Sequence, residues 1–224
     1  MLGIANPLFS LHNITGAILA GGKGDRMGGT HKALLPFHSE RLIHRQISRL
    51  KQLCTEIIIV TNEPFVYAPI VDRNIRIITD YYSNNGPLAG MHAALSLAYN
   101  DHVWIIGCDM PFVSTDAAKL MLQQKERSKP EAVIPYVNGQ LYPLYAVYDK
   151  SCASSIAAML ERNDMEISDF VSRLAYETTT EQKFESEGLK VDFITDVNTP
   201  DEYEAALLKD SLVEDDRTID KRFE

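Results

Sequence analysis

The sequence of 224 residues has few basic residues and no basic stripe. Its 22 Lys and Arg are outnumbered by 31 Asp and Glu, which gives a formal net charge of −9. Over half of this excess lies in residues 201–224, so the rest of the chain is only mildly acidic. A polyanion needs a clustered basic surface, and we therefore expect no nucleic-acid partner.

Cysteine is also scarce, and apolar runs are short. Cys54, Cys108 and Cys152 form no C-x-x-C pair and join no histidine pattern, which argues against a zinc site or a disulfide framework. The N-terminal stretch has no Lys or Arg and is interrupted by Pro7, and no apolar run approaches transmembrane length. The sequence therefore predicts a cytoplasmic protein with reduced cysteines and no membrane partner.

Two common phosphate-binding signatures are missing. No glycine is followed at the required spacing by Lys-Ser or Lys-Thr, which excludes a P-loop. In the dinucleotide pattern G-x-G-x-x-G, Gly22 and Gly24 fit, but Met27 stands at the third glycine position. The chain also shows no Ser/His/Asp or Cys/His arrangement typical of covalent catalysis. Neither a P-loop NTPase nor a standard Rossmann dehydrogenase is indicated.

The sequence does contain a glycine-rich loop directly after an apolar segment at 14–19. The loop holds five glycines (Gly21, Gly22, Gly24, Gly28 and Gly29) and three cations (Lys23, Arg26 and Lys32). Glycine lets backbone N–H groups approach a ligand closely, and Lys and Arg neutralise phosphate charge. The pattern predicts a phosphate-binding loop, with an exposed turn carrying ordinary surface charges as the alternative.

Hydrophobic periodicity predicts alternating strands and helices. Strands are expected at 14–19, 56–60, 75–78, 102–107, 132–136, 142–147 and 191–194, with a turn at Asn138-Gly139. Helices are expected at 41–53, 88–99, 115–125, 151–160 and 168–174, and from Pro200 onward. This alternation predicts a single-domain α/β fold, a three-layer α/β/α sandwich with a mostly parallel sheet. We assign residues 1–13 to an N-terminal extension, 14–212 to the domain and 213–224 to a polar C-terminal tail.

Polar residues follow the ends of several predicted strands. Ligands of such sheets bind outside the carboxyl ends of the strands, where the glycine loop, Asn62, Asp80 and Asp109 are expected. Mg²⁺ takes one or two carboxylates and completes its shell with water and phosphate oxygens, so Asp109, fixed by the nearby Pro111, is a candidate ligand. Turn or capping roles are the alternative for both acids, and for Asp80 a turn role is as well supported.

Two further motifs are placed at the same edge. The segment G-P-L-A-G at 86–90 combines a proline near a helix start with two glycines, which allows close packing against the sheet or a planar base. Asn198-Thr199-Pro200 forms a turn into a helix, and a helix-capping role is its alternative. Its position after a predicted strand moves Asn198 toward the same edge of the sheet.

In order along the chain, L-A-G-G-x-x-x-R-M-G-G-x-x-K, G-P-L-A-G, C-D-M-P and N-T-P-D-E resemble the motifs of the molybdenum cofactor guanylyltransferases. The resemblance runs from Thr15 to about Ala206 and is dense at these four motifs. It implies a Rossmann-like nucleotidyltransferase fold of the GT-A type. It also implies GTP and molybdopterin as substrates, Mg²⁺ as cofactor and transient contact with molybdopterin-handling proteins.

The resemblance also implies roles for individual residues. GTP binding is carried over to Leu19, Ala20, Gly21, Gly22, Lys32, Asp80, Gly86, Pro87, Gly90 and Asp109. Metal binding is carried over to Asp109 and Asn198, and catalysis to Arg26, Lys32 and Asp109. Members can also carry a nucleotide-contacting Asn after the second strand, and whether Asn62 takes that place is open. The segment 161–188, expected near the pterin, carries no matching motif.

The implied reaction is transfer of GMP from GTP to the terminal phosphate of molybdopterin, with release of pyrophosphate. Two alternatives remain at this point. One is another nucleotidyltransferase, such as a CTP-dependent molybdopterin cytidylyltransferase or a phosphosugar or alcohol-phosphate nucleotidyltransferase. The other is a GTP-binding adaptor without turnover, which would have no need of a metal-aligning Asp109.

Overall fold

The computed structural model describes residues 12–21, 31–82 and 86–220, and all structural statements below refer to these residues. The strands are β1 (His12–Leu19), β2 (Pro36–Phe37), β3 (Glu40–Arg41), β4 (Cys54–Val60), β5 (Arg76–Ile78), β6 (His102–Gly107), β7 (Ala132–Val137), β8 (Gln140–Leu141), β9 (Tyr145–Asp149) and β10 (Tyr176–Thr180). The α-helices are α1 (Leu42–Leu50), α2 (Pro64–Tyr67), α3 (Gly86–Leu97), α4 (Thr115–Ser128), α5 (Cys152–Leu160), α6 (Ile167–Ser172), α7 (Glu181–Ser186) and α8 (Pro200–Asp220). Lys32–Leu34 and Val191–Ile194 form 3-10 helices.

One eight-stranded sheet organises the fold, in the order β10-β7-β9-β6-β1-β4-β5 with β8 paired to β7. The four strands β6, β1, β4 and β5 run parallel to one another. β9 is antiparallel to both β6 and β7, and β10 is parallel to β7. The carboxyl ends of β1, β4, β5 and β6 therefore meet at one edge of the sheet.

Alternate side chains of the central strands enter two separate apolar layers. On β1, Ile14 and Ile18 pack beneath α1, α4 and α7. Ala17 and Leu19 point to the opposite face, beneath α3, α5 and α6. A strand segment buried on both faces reads as a continuous apolar run, as residues 57–60 of β4 do. The predicted α/β/α sandwich with a mostly parallel sheet is confirmed.

Most strands and helices lie where the sequence predicted them. The last predicted strand, at 191–194, is wrong. Residues 191–194 form a 3-10 helix in which Phe193 packs against Tyr145 and Phe184. The final strand of the sheet is instead β10, a polar, threonine-rich edge strand that shows little hydrophobic patterning.

Several other bounds differ from the expectation. The strand expected at 142–147 begins only at Tyr145, because residues 142–145 form a turn closed by the Tyr145 N–H. The helix expected at 41–53 ends at Leu50. The turn at Asn138-Gly139 is present, with positive φ at both residues, and it joins β7 to the short β8. The two-stranded hairpin β2–β3 and the helices α2 and α7 were not predicted.

The helix α8 runs through residue 220, well into the segment assigned to a polar tail. No helix in the described part of the chain is both long and apolar enough to cross a bilayer.

Candidate active site

A cleft of about 480 Å³ lies outside the carboxyl ends of β1, β4, β5 and β6. Its walls are formed by Leu19, Gly21, Lys32, Val60, Thr61, Asn62, Asp80, Gly86, Pro87, Gly90, Gly107, Cys108, Asp109 and Leu144. Eight of the ten residues to which GTP binding was assigned from the sequence are among them: Leu19, Gly21, Lys32, Asp80, Gly86, Pro87, Gly90 and Asp109. Asn62, also expected at this edge, lines the cleft as well. The motifs that are separate in the sequence are therefore neighbours in the fold.

The first wall of the cleft is the end of β1. The N–H of Ala20 donates to the carbonyl of Val60 over 2.8 Å, which extends the pairing of β1 with β4 up to the loop. The buried Tyr67 hydroxyl donates to the carbonyl of Ala20 over 3.5 Å. Gly21 then lines the cleft, whereas Gly22 and Arg26 lie outside the described residues.

Lys32 and Asp109 line one side of the cleft, and Asn198, which is not a lining residue, contacts Lys32. The Lys32 ammonium donates to Asp109 Oδ2 over 3.1 Å and also to Asn198 Oδ1. The side chains of Lys32 and Asp109 are 18% and 23% exposed, so a ligand can still reach the pair. One cation is thus held between the two oxygens that the sequence selected as metal ligands.

The backbone around Asp109 is tied to three different segments. The N–H of Gly107 donates to the Leu144 carbonyl over 3.0 Å, and the N–H of Cys108 donates to the Leu19 carbonyl over 3.2 Å. The carbonyl of Asp109 accepts from the N–H of Val197 over 2.9 Å, next to Asn198. The turn that carries the carboxylate is therefore fixed to both β1 and the segment before α8.

Asn198 is placed by a capping box at the start of α8. The Thr199 hydroxyl accepts from the N–H of Glu202 over 3.3 Å, and the Glu202 carboxylate accepts from the N–H groups of Asn198 and Thr199. The Asn198 N–H thereby lowers the pKa of the Glu202 carboxyl group. Asp196 accepts from Asn198 Nδ2 over 2.7 Å, which leaves Oδ1 directed at Lys32. The N-T-P-D-E motif is both a helix cap and a way to orient the Asn198 amide.

The opposite side of the cleft is formed by β5 and α3. Asp80 Oδ1 is buried without a hydrogen-bond partner among the described residues. A buried acceptor without a partner is costly, and a donor group of a ligand in the cleft would satisfy it. Gly86 begins α3 with a φ of 66°, a conformation that glycine adopts without strain. This side of the cleft therefore presents one carboxylate oxygen that is unpaired among the described residues, and backbone at Gly86 that a ligand can approach closely.

The oxygens of Asp109 and Asn198 are of the kind that a divalent metal takes as ligands. Both oxygens already contact one ammonium group, and carboxylate and amide oxygens are suitable ligands for Mg²⁺. Among the described residues, no group of three or more His, Cys, Asp or Glu could hold a metal by itself. A metal here would need ligand oxygens to complete its shell.

The partly buried Cys108 thiol also lines the cleft. Burial raises its pKa to about 12, with the charge of Asp109 acting in the same direction. The thiol therefore stays protonated at neutral pH and is a poor nucleophile.

Several residues of this site were not selected from the sequence. Thr61, Gly107 and Leu144 line the cleft, and Gln46 is fully buried behind it. Gln46 could have been noticed in the sequence, because it is the polar residue on the otherwise apolar face of α1. No residue of the 161–188 segment lines the cleft.

Replacing Gly107 with alanine is expected to lower activity by about 10²-fold, because small displacements of a reacting group have effects of this size. A Cβ at this position would lie 2.7 Å from Asp109 Oδ1, so the carboxylate would have to move. Steady-state kinetics of Gly107→Ala would measure the loss. Gly16→Ala is the control, since its Cβ would clash with Leu50 in the core and not with the cleft. Equal activity losses in the two variants at equal melting temperatures would contradict this expectation.

Residues 16–178 match the family described as the MobA-like NTP transferase domain. A relative from Clostridium perfringens, named probable molybdenum cofactor guanylyltransferase, is 33% identical over 198 residues, which cover 88% of this chain and 97% of the relative. One from Desulfosudis oleivorans, named molybdenum cofactor guanylyltransferase, is 30% identical over 193 residues, covering 86% and 94% of the two chains.

Among solved structures, the fold is similar to molybdopterin-guanine dinucleotide biosynthesis protein A from Archaeoglobus fulgidus. The TM-score is 0.76 at 23% sequence identity, and the match covers 88% of this chain and 98% of the other. This likeness supports the assigned fold.

Proposed function

Because the chain belongs to the MobA-like NTP transferase family, we propose that it transfers GMP from GTP to the terminal phosphate of molybdopterin. Pyrophosphate is the second product. The observation that carries the proposal is that Lys32 and Asp109 line the cleft and contact each other, while Lys32 also contacts Asn198. The relatives named molybdenum cofactor guanylyltransferase support the choice of GTP and of the acceptor.

The acceptor needs no catalytic base from the protein. A phosphate monoester has a second pKa of about 6 and is largely ionised at neutral pH. One of its oxygens forms the new bond to the α-phosphorus of GTP. The bond from the α-phosphorus to the α,β-bridging oxygen breaks, and its electron pair leaves with pyrophosphate. The exchange needs no thiol nucleophile, which agrees with the raised pKa of Cys108.

The protein contributes alignment and charge neutralisation. Lys32 is placed to contact the phosphates, and Arg26 is proposed to join it at the departing pyrophosphate. Asp80 and the 86–90 segment are proposed to hold the nucleoside. Asp109 and Asn198 would hold Mg²⁺, which when bound neutralises charge on the α-phosphate.

The remaining assignments extend the same proposal. The three free cysteines fit a cytoplasmic enzyme, since disulfides are rare in that compartment. Contact with molybdopterin-handling proteins, and contact of the pterin with the 161–188 segment, stay predictions.

The proposed function is tested by incubating the pure protein with molybdopterin, Mg²⁺ and GTP labelled at the α-phosphate. We expect the label in the pterin product, and pyrophosphate in equal amount. Parallel reactions use α-labelled CTP and ATP, and phosphosugars in place of molybdopterin. Labelling from CTP alone, or of a phosphosugar alone, would assign the chain to another nucleotidyltransferase. Binding of GTP without any transfer would favour the adaptor.

A further inference from the structure

We propose that Gln46 is a positioning residue that fixes the Asp109 carboxylate for metal binding. The inference rests on the proposed function, because it assigns a task to a residue behind the same site. Gln46 lies on α1 and is not among the residues that line the cleft. It acts through the backbone of the turn that carries Asp109.

The Gln46 side chain bridges the two ends of this turn. Its Nε2 donates to the carbonyl of Gly107 over 2.8 Å and to the carbonyl of Met110 over 2.9 Å. Cys108 and Asp109 lie between these two acceptors. Both hydrogen bonds are buried, and Gln46 has no exposed surface. One amide group therefore sets the spacing of the backbone on either side of Asp109.

Gln46 is the polar member of an otherwise apolar buried face, and its two hydrogen bonds satisfy carbonyls that an apolar side chain would leave unpaired. The other positions on the buried face of α1 are Leu42, Ile43, Ile47 and Leu50. The Gln46 Oε1 atom is buried and has no partner among the described residues, which costs stability. Only the Nε2 end of the Gln46 amide forms hydrogen bonds among the described residues, and both of them go to the turn that carries Asp109.

Arg45 connects the turn that carries Asp109 to α8, the helix that begins next to the other proposed metal ligand, Asn198. Its Nε donates to the carbonyl of Pro111 over 2.9 Å, and its Nη2 donates to Asp210 Oδ1 over 2.5 Å. The Asp210 side chain is 8% exposed and lies on α8, the helix whose capping box carries Asn198. Two consecutive residues of α1 thus hold the Asp109 turn and connect it to the helix of Asn198.

The test compares Gln46→Met with Gln124→Met. Methionine keeps the length of the side chain and removes both donors to the turn. Gln124 is matched as a half-buried glutamine with several hydrogen bonds, to Glu177, Thr178 and Thr179, which lie away from the cleft. Mn²⁺ binding is measured by electron paramagnetic resonance in the presence of the α,β-methylene analogue of GTP, which requires no turnover.

For Gln46→Met we expect the Mn²⁺ dissociation constant to rise by about 10- to 100-fold, the range seen when partners behind metal ligands are removed. The Mg²⁺ concentration for half-maximal transfer should rise in parallel, while the KM for GTP at saturating Mg²⁺ changes little. Gln124→Met should lower the melting temperature and leave both metal constants unchanged. Gln46→Asn keeps the amide but is one methylene shorter, so it should reach only one carbonyl and give an intermediate constant.

The proposal is overturned if Gln46→Met and Gln124→Met bind Mn²⁺ equally well. If Gln46→Met does not fold, a wild-type Mn²⁺ constant in Gln46→Asn overturns it instead. A wild-type protein that binds Mn²⁺ with the analogue but transfers no GMP would refute the proposed function alone. In that case the Mn²⁺ constants of the variants still decide the role of Gln46. A wild-type protein that binds no Mn²⁺ with the analogue overturns the positioning role directly.

Discussion

Asp109→Asn is expected to transfer GMP about 10³-fold more slowly than the wild-type protein, because it removes the negative charge proposed to hold the metal against the α-phosphate. Asparagine has the same shape and can still accept the hydrogen bond from Lys32, so the turn should keep its conformation. Only the charge at this position changes. Single-turnover kinetics with α-labelled GTP would measure the effect on the chemical step.

The matched control is Asp101→Asn. Asp101 precedes β6 at the opposite end of the sheet, where its 78%-exposed side chain pairs with Lys150. This variant should transfer GMP at the wild-type rate. A wild-type rate in Asp109→Asn would contradict the metal-binding role and favour a turn role for this aspartate.

Lys32→Ala is expected to weaken GTP binding by roughly 10- to 100-fold, since a hydrogen bond to a charged group contributes about 1.5–3 kcal/mol. Transfer should also slow, because the same ammonium is proposed to stabilise the departing pyrophosphate. The partners of Lys32, Asp109 and Asn198, remain in place and lose only the cation between them. Titration with GTP and Mg²⁺, followed by the rise in melting temperature, would measure the affinity.

Lys51→Ala serves as the control for a lost lysine. Lys51 pairs with Asp72 on the surface, where both side chains are largely exposed. Its loss should leave the response to GTP unchanged. An undiminished GTP response in Lys32→Ala would show that this lysine is not a phosphate ligand.

The position of the site was predictable because it depends on strand order more than on side-chain detail. Asp80 and Asp109 each follow a short apolar run, and parallel strands bring such residues to one edge. Lys32 and Asn198 were selected through their motifs, but the strand at 191–194 that was expected to place Asn198 at this edge is a 3-10 helix.

The features that were missed depend on tertiary contacts. β10 is polar because it lies at the edge of the sheet, so it lacks the apolar run by which the inner strands were recognised. Residues 191–194 also look like a short strand in the sequence, but they form a 3-10 helix whose Phe193 side chain is buried in the core. The hydrogen bonds of Gln46 join residues 61 and 64 positions apart, and helical periodicity contains no information on them.

The contacts of Lys32 also have a consequence for the order in which the protein matures. Asp109 is 77 positions away from Lys32 in the chain, and Asn198 is 166 positions away. During synthesis the N-terminal part emerges first, so the glycine loop, most of the sheet and Asp109 exist before Asn198 leaves the ribosome. A nascent chain can therefore complete its central strands before the contact between Lys32 and Asn198 exists. That contact forms only once the segment before α8 has been synthesised and has packed beside Asp109.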